Sequence, residues 1–164
     1  MQAFSTFSWY TYLTPQQQSL ALSTEELLKA ANSGAVVCPD YSFVIFPLAK
    51  TYEGFLKKLL LELQLISEEA YYSKRFRIGR ALNPDVHMDQ RDRFWLFDDI
   101  VRTCGQEHAQ QIWETWLECR NRVFHAFPKN ESLCSLEKAN DCVRILVETM
   151  QDTMSCAPQQ TQGE

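Results

Sequence analysis

The sequence predicts an all-α domain. Apolar residues recur at intervals of three and four along most of the chain, as on one face of an amphipathic helix. No segment keeps the alternation of apolar and polar residues that is typical of a half-buried strand. The 164 residues are 45% hydrophobic and 23% charged, which suits one globular domain with a sizeable core. We expect a short irregular N-terminal arm over residues 1–22, a helical domain over 23–154 and a disordered tail over 155–164.

The first predicted helix begins at Ser23. Ser23 and Glu26 have the spacing of a capping box, in which the two side chains satisfy free backbone N–H groups at a helix start. We expect this helix to extend to about Asn32, with Gly34 just past its C-terminal end.

The second predicted helix has the clearest pattern. Asp40 is placed to cap it, and Pro47 is expected either to kink the helix or to mark its true first turn. A polar stripe on this helix carries Lys50, Glu53 and Lys57. The apolar face is formed by Tyr41, Val44, Ile45, Leu48, Tyr52, Phe55, Leu56, Leu59, Leu60 and Leu63.

The helical pattern breaks over residues 67–93, where we expect a helix fragment followed by a loop. Three further helices are predicted over residues 89–104, 107–127 and 135–154. Gly105 is expected to end the first of these three, and Pro128 the second. Four basic residues lie close together in the irregular segment: Lys74, Arg75, Arg77 and Arg80.

Composition excludes several classes of protein. A net charge of −5 excludes a general positive coat, so any contact with nucleic acid must come from a local patch or an assembled oligomer. The six cysteines show no C-x-x-C spacing, which argues against a zinc knuckle or ribbon. The N-terminal residues lack the basic start of a secretory signal, and no apolar stretch approaches the roughly 20 residues of a membrane span. We therefore expect a cytoplasmic protein that does not enter a membrane.

The strongest candidate site lies late in the fourth predicted helix. Arg120, Asn121 and His125 place a permanent cation and a titratable imidazole near one point, although at 100° per residue Arg120 lies about 140° round the helix from His125. Cleavage of RNA by its own 2′-hydroxyl needs such a pair: a base for the hydroxyl proton and a cation for the charge on phosphorus. An Arg and a His on a helix are more often surface or structural groups, and that alternative stays open.

The string R-N-x-x-x-H, in residues 120–125, resembles the R-x4-6-H signature of HEPN-domain ribonucleases. The stretch TYEGFLKKLL, residues 51–60, is similar to a helix of the RnlA/LsoA (RNase LS) toxins, whose C-terminal domain has the HEPN fold. The resemblance covers about residues 40–154. The 164 residues do not include the large N-terminal domains of those toxins.

The resemblance implies a HEPN-like bundle of four to five helices that forms a homodimer, with two signatures facing each other across a shared cleft. It implies an endoribonuclease toxin that needs no metal or other cofactor, leaves a cyclic phosphate and is held by a cognate antitoxin protein. Arg120 and His125 match the signature, and Asn121 matches its polar second position. Lys50 and Glu53 match the basic and acidic pair of the earlier helix, where Lys50 stands in place of an expected Arg.

Other interpretations stay open. We expect RNA contacts from six basic side chains: Lys57, Lys74, Arg75, Arg77, Arg80 and Arg122. For the four in residues 74–80, a merely solvated surface is an equal alternative. Asp85, His87 and Asp89 have a spacing that a metal ion could use, but such a run is more often a solvated turn, so we expect no metal site. The rival functions are a non-catalytic HEPN-like module that binds a partner protein or nucleotide, and a plain helical adaptor.

Overall fold

The structure, a computed structural model, describes residues 2–125 and 133–158. All regular elements within these residues are helical, so the all-α prediction is confirmed. Short 3₁₀ turns occur at Phe4–Thr6, Met88–Gln90 and Met154–Cys156, and one π-helical turn occurs at Leu117–Asn121. The α-helices are α1 (Ser8–Tyr12), α2 (Pro15–Asn32), α3 (Ser42–Glu62), α4 (Glu68–Tyr72), α5 (Ile78–Ala81), α6 (Phe97–Cys104), α7 (Gln106–Trp116), α8 (Arg122–Phe124) and α9 (Leu136–Thr153).

Helix α3 is the central element and packs against α2 and α9. Its apolar stripe is buried as the sequence pattern predicts, and Tyr52 and Phe55 are fully enclosed. The hydroxyl of Tyr52 donates a hydrogen bond to the carbonyl of Ile112 at 3.0 Å, which fixes α3 against α7. Pro47 lies inside α3, so it does not mark the first turn of the helix.

The N-terminal prediction is wrong in its details. Helix α2 begins at Pro15 instead of Ser23, because Thr14 and Gln17 form the capping box and Pro15 occupies the first helical position. The preceding residues are also ordered as helix, and Phe4 and Trp9 are completely buried in the core. Residues 2–22 are therefore part of the packed domain rather than an irregular arm.

The helix predicted over residues 89–104 is shorter than expected. It begins at Phe97, and the residues before it form the 3₁₀ turn at Met88–Gln90 and a loop. Gly105 has a φ of +88°, a conformation that L side chains rarely adopt, and this allows α7 to start directly after α6.

The last two predicted helices can be followed only in part. The helix predicted over 107–127 is interrupted by the π turn and ends at Phe124, while residue 127 and Pro128 lie outside the described residues. Helix α9 matches its prediction, and the Ser135 side chain caps it by accepting from the backbone N–H of Lys138. Of the predicted tail, residues 159–164 lie outside the described residues, and residues up to Cys156 are helical.

No helix in the described part of the chain combines the length and the apolar character that crossing a bilayer requires.

Candidate active site

Two helical segments enclose a cleft of about 320 Å³. Helix α3 forms one wall, and the π turn with α8 forms the other. The cleft contains four of the five residues for which the sequence suggested a catalytic role. Its lining consists of Phe46, Ala49, Lys50, Glu53, Arg120, Phe124 and His125.

The α3 wall follows from helical spacing. Phe46, Lys50 and Glu53 are separated by four and three residues, so their side chains lie on one face of the helix. Lys50 is exposed and Glu53 is half-buried. One turn further on, Lys57 Nζ lies 3.1 Å from Glu53 Oε1, so the carboxylate at the end of the cleft already has a cationic neighbour.

The opposite wall includes the π turn, which carries Arg120. The backbone N–H of Arg122 bonds to the carbonyl of Leu117, five residues earlier, instead of to a carbonyl four residues earlier. This bonding brings residues five positions apart closer together than an α-helix would, and the helix then ends at Phe124. Beyond the π turn the backbone N–H of His125 bonds to the carbonyl of Asn121, four residues earlier, and Arg120 Nη1 lies 3.1 Å from His125 Nε2.

Arg120 is held from two further sides. Its guanidinium stands over the indole ring of Trp116, 5.1 Å from the ring centroid. Its Nη1 also donates to Asn121 Oδ1 at 3.2 Å, so Asn121 orients the arginine rather than facing the cleft. Trp116 is almost fully buried, and therefore the arginine rests on a rigid part of the core.

The contact between Arg120 and His125 defines the tautomer of the imidazole. A guanidinium has only donors, so His125 Nε2 must accept with its lone pair, and the ring proton is then on Nδ1. A neutral imidazole with a lone pair on Nε2 is the form that a general base needs. The ring is exposed, so a substrate hydroxyl could reach it.

None of the six predicted RNA-contacting residues is among those that line the candidate active site. Arg75 lines a separate cleft of about 340 Å³, together with Arg93. Arg80 is engaged with Asp92, at 2.9 Å, and with the carbonyl of Gln90, at 3.0 Å. Lys74 and Arg77 are exposed, and Arg122 forms an ion pair with Glu118 on the surface. Of the six, Lys57 is next to the candidate active site through Glu53.

Sequence reasoning missed the aromatic rim of the cleft. Phe46 is 55% exposed, and its ring meets Phe124 edge-on at a centroid distance of 5.7 Å. The available signal was that Phe46 lies one helical turn before Lys50, on the polar stripe instead of the apolar face.

The Asp85, His87 and Asp89 run forms a local contact. His87 Nδ1 lies 2.5 Å from Asp89 Oδ1, and both side chains are exposed. Within residues 2–125 and 133–158, no three His, Cys, Asp or Glu side chains are grouped closely enough to hold a metal ion.

Comparison of the chain with protein-family models, with curated proteins and with solved structures found no match. The relationship to HEPN ribonucleases therefore stays a hypothesis that rests on the residues named above.

Proposed function

We propose that this chain is a metal-independent endoribonuclease that acts as the toxin of a toxin–antitoxin or phage-defence system. The observation that carries the proposal is the 3.1 Å contact between Arg120 and His125 at a cleft that Lys50 and Glu53 also line. A cation and an imidazole at one point are the groups that 2′-hydroxyl attack on a phosphodiester needs.

In the proposed reaction His125 Nε2 accepts the proton of a ribose 2′-hydroxyl. The 2′-oxygen then bonds to the adjacent phosphorus, and the bond from phosphorus to the 5′-oxygen of the next nucleotide breaks. The proton passes to that leaving oxygen, so the products are a 2′,3′-cyclic phosphate and a 5′-hydroxyl. Arg120 moves from the imidazole to the phosphate and stabilises the negative charge that develops on its oxygens.

The other residues of the cleft have supporting roles in this proposal. Asn121 and Trp116 hold Arg120, while Lys50 adds positive charge for the RNA backbone beside Glu53. Phe46 offers an exposed ring on which a nucleobase can stack. A homodimer that joins two such clefts, and an antitoxin protein that covers them, belong to the same proposal, with a cytoplasmic site of action.

The proposal is tested by incubating the purified chain with single-stranded RNA in the presence of EDTA. We expect cleavage by the unaltered chain and a loss of cleavage in Arg120→Ala and His125→Ala. Arg144→Ala and His87→Ala are matched controls, because both side chains are exposed and neither lines the cleft. These two variants should cleave like the unaltered chain.

Two outcomes would favour the rival functions. Binding of RNA or nucleotide without cleavage, at any ratio of protein to RNA, would favour a non-catalytic binding module. Neither binding nor cleavage, in a folded protein, would favour a helical adaptor.

A further inference from the structure

The cleft of about 340 Å³ that Arg75 and Arg93 line is separate from the candidate active site, and the two share no lining residue. It lies where the turn after α3, helix α4 and the loop before α6 meet. Both arginine side chains are exposed. The lining between them is largely apolar and consists of Leu65, Ile66, Ala70, Phe76 and Phe94. The cleft therefore combines two cations with an apolar floor.

Neither guanidinium in this cleft forms an ion pair with a carboxylate in the described part of the chain. The carboxylate beside Arg93 in the sequence, that of Asp92, is already occupied. Its Oδ2 lies 2.9 Å from Arg80 Nη2, and its Oδ1 accepts from the backbone N–H of Phe94 at 2.9 Å. The donors of the two arginines are therefore available to an anion from solution.

Local contacts orient the two arginine residues. The guanidinium of Arg93 stands over the ring of Phe94, 4.8 Å from its centroid, and that ring meets Phe76 at a centroid distance of 6.0 Å. Phe76 is buried, so the ring below Arg93 is anchored to the core. The backbone N–H of Arg75 donates to Ser73 Oγ at 3.0 Å. Binding an anion therefore restricts Arg93 less than it would restrict an unsupported surface arginine.

The apolar floor indicates what the anion must carry. Leu65 and Ile66 both donate their backbone N–H to the carbonyl of Leu60, at 2.9 and 3.3 Å, which fixes the turn to the end of α3. An inorganic ion would leave this floor in contact with water, whereas a planar apolar group attached to the anion would cover it. A cleft of this volume is at the small end of the range that takes organic ligands.

We propose that this cleft binds a phosphate monoester that carries an aromatic group, either a small organic phosphate or the phosphorylated 5′ end of an RNA strand. The phosphate lies between the guanidiniums of Arg75 and Arg93, and the aromatic group packs on the apolar floor. Glu69 also lines the cleft, so two arginines and one carboxylate leave a net charge of +1, which favours a dianion.

The test is a titration of the full, folded chain with phenyl phosphate at about pH 7.5, where a phosphate monoester carries close to two charges. Binding is followed by NMR of the backbone amides. We expect saturation with a Kd below about 1 mM and shifts confined to residues 65–76 and 93–94. Inorganic phosphate, which lacks the ring, should bind about 5- to 30-fold more weakly, and phenol, which lacks the phosphate, should give no saturation.

Variants of exposed residues separate a built site from general attraction between charges. Arg75→Ala should weaken binding of phenyl phosphate by about 5- to 30-fold, and Arg75→Lys should restore only part of it, because an ammonium lacks the guanidinium fork. Glu69→Gln should tighten binding by about 1.5- to 5-fold, because it removes a like charge. Arg77→Ala is the matched control: Arg77 is exposed in the same basic segment but does not line the cleft, so this variant should bind like the unaltered chain.

An RNA strand with every ribose 2′-O-methylated, which 2′-hydroxyl attack cannot cleave, distinguishes the two sources of the phosphate. Displacement of phenyl phosphate by the 5′-phosphorylated strand, but not by the same strand with a 5′-hydroxyl, would assign the cleft to the end of an RNA. Displacement by neither strand, with phenyl phosphate still bound at residues 65–76 and 93–94, would assign it to a small organic phosphate.

The proposal is overturned if phenyl phosphate does not saturate the chain by about 10 mM, or if the shifts fall at residues 46–53 and 120–125 instead. It is also overturned if Arg77→Ala weakens binding as much as Arg75→Ala, or if both RNA strands displace phenyl phosphate equally. The inference does not rest on ribonuclease activity. His125→Ala should bind phenyl phosphate like the unaltered chain, so loss of cleavage and loss of binding at this cleft are measured independently.

Discussion

Replacing Arg120 and His125 by alanine separates a catalytic role from a structural one. Arg120→Ala removes one contact over Trp116 and two hydrogen bonds, all at a half-buried side chain. A cation–π contact at such a site contributes about 0.5–1 kcal/mol, and partly exposed hydrogen bonds add about as much again. We therefore expect Arg120→Ala to lower the free energy of unfolding by about 1–2 kcal/mol. His125 is exposed, so His125→Ala should change it by less than about 0.5 kcal/mol.

These decreases in the free energy of unfolding are too small to unfold a substantial fraction of the protein. For a chain of this size they correspond to a Tm lower by about 2–8 °C for Arg120→Ala and by at most about 2 °C for His125→Ala. Even a domain with about 5 kcal/mol of stability stays more than about 99% folded after losing 2 kcal/mol.

The loss of activity should be much larger than the loss of stability. Removing a group that stabilises transition-state charge costs about 10²- to 10³-fold in kcat, and removing a general base about 10²- to 10⁴-fold. Melting curves and cleavage rates measured on the same preparations give both quantities. A Tm lower by more than about 10 °C in either variant, with a loss of activity that follows the unfolded fraction, would refute the catalytic role and indicate a structural one.

Three further predictions come from other parts of the structure. Gly79→Ala should destabilise the chain by about 1–3 kcal/mol in a thermal melt, because its Cβ would lie 2.6 Å from Trp116 Nε1. Phe46→Ala should raise KM for RNA by about 5- to 30-fold with little change in kcat, because a base loses its stacking partner. Asp40→Asn should make the free energy of unfolding fall less steeply as the pH is lowered. Burial raises the pKa of Asp40, but hydrogen bonds from Ser42 and the Cys134 backbone lower it more. The ionised carboxylate therefore stabilises the folded chain above the ordinary pKa of 3.8, and this stabilisation is lost as the pH falls through the lower folded-state pKa.

Each of these predictions has its own control. Gly79→Ala should cost less in a Trp116→Phe background, and an equal cost in both would show that the indole is not the obstacle. Tyr72→Ala removes another exposed ring outside the cleft, and a rise in KM equal to that of Phe46→Ala would contradict stacking at the site. Asp85→Asn changes an exposed aspartate, and an acid profile as flat as that of Asp40→Asn would argue against the hydrogen bonds of Asp40 as the cause.

The sequence predicted the helices whose pattern is governed by a buried stripe. Helix α3 and helix α9 lie where their apolar periodicity places them, because each buries one face against the same core. The start of α2 was missed although its signal is local: Thr14, Pro15 and Gln17 together form a capping box with proline at the first position. The burial of Phe4 and Trp9 was not predicted, because it depends on contacts with helices that are distant in the sequence. The local spacing of apolar residues does not reveal such contacts.

The residues of the site could be predicted from the sequence, but their arrangement in space could not. Lys50, Glu53, Arg120 and His125 were named from residue chemistry and a family resemblance, and the structure places them around one cleft. Their catalytic roles stay a prediction. The π turn that contains Arg120 was not predictable, because the spacing of apolar residues does not indicate i→i+5 bonding. The RNA contacts expected of the basic segment stay a prediction; loop folding places Arg75 at a different cleft and pairs Arg80 with Asp92.

The most direct measurement is the chemistry of cleavage itself. An RNA strand and the same strand with every ribose 2′-O-methylated are incubated with the chain in EDTA, and the ends of the products are analysed. We predict cleavage of the unmodified strand alone, with 2′,3′-cyclic phosphate and 5′-hydroxyl ends, and a loss of that cleavage in His125→Ala. Cleavage of the methylated strand, products with 5′-phosphate ends, or intact RNA throughout would contradict the proposed pairing of Arg120 and His125 around a phosphodiester.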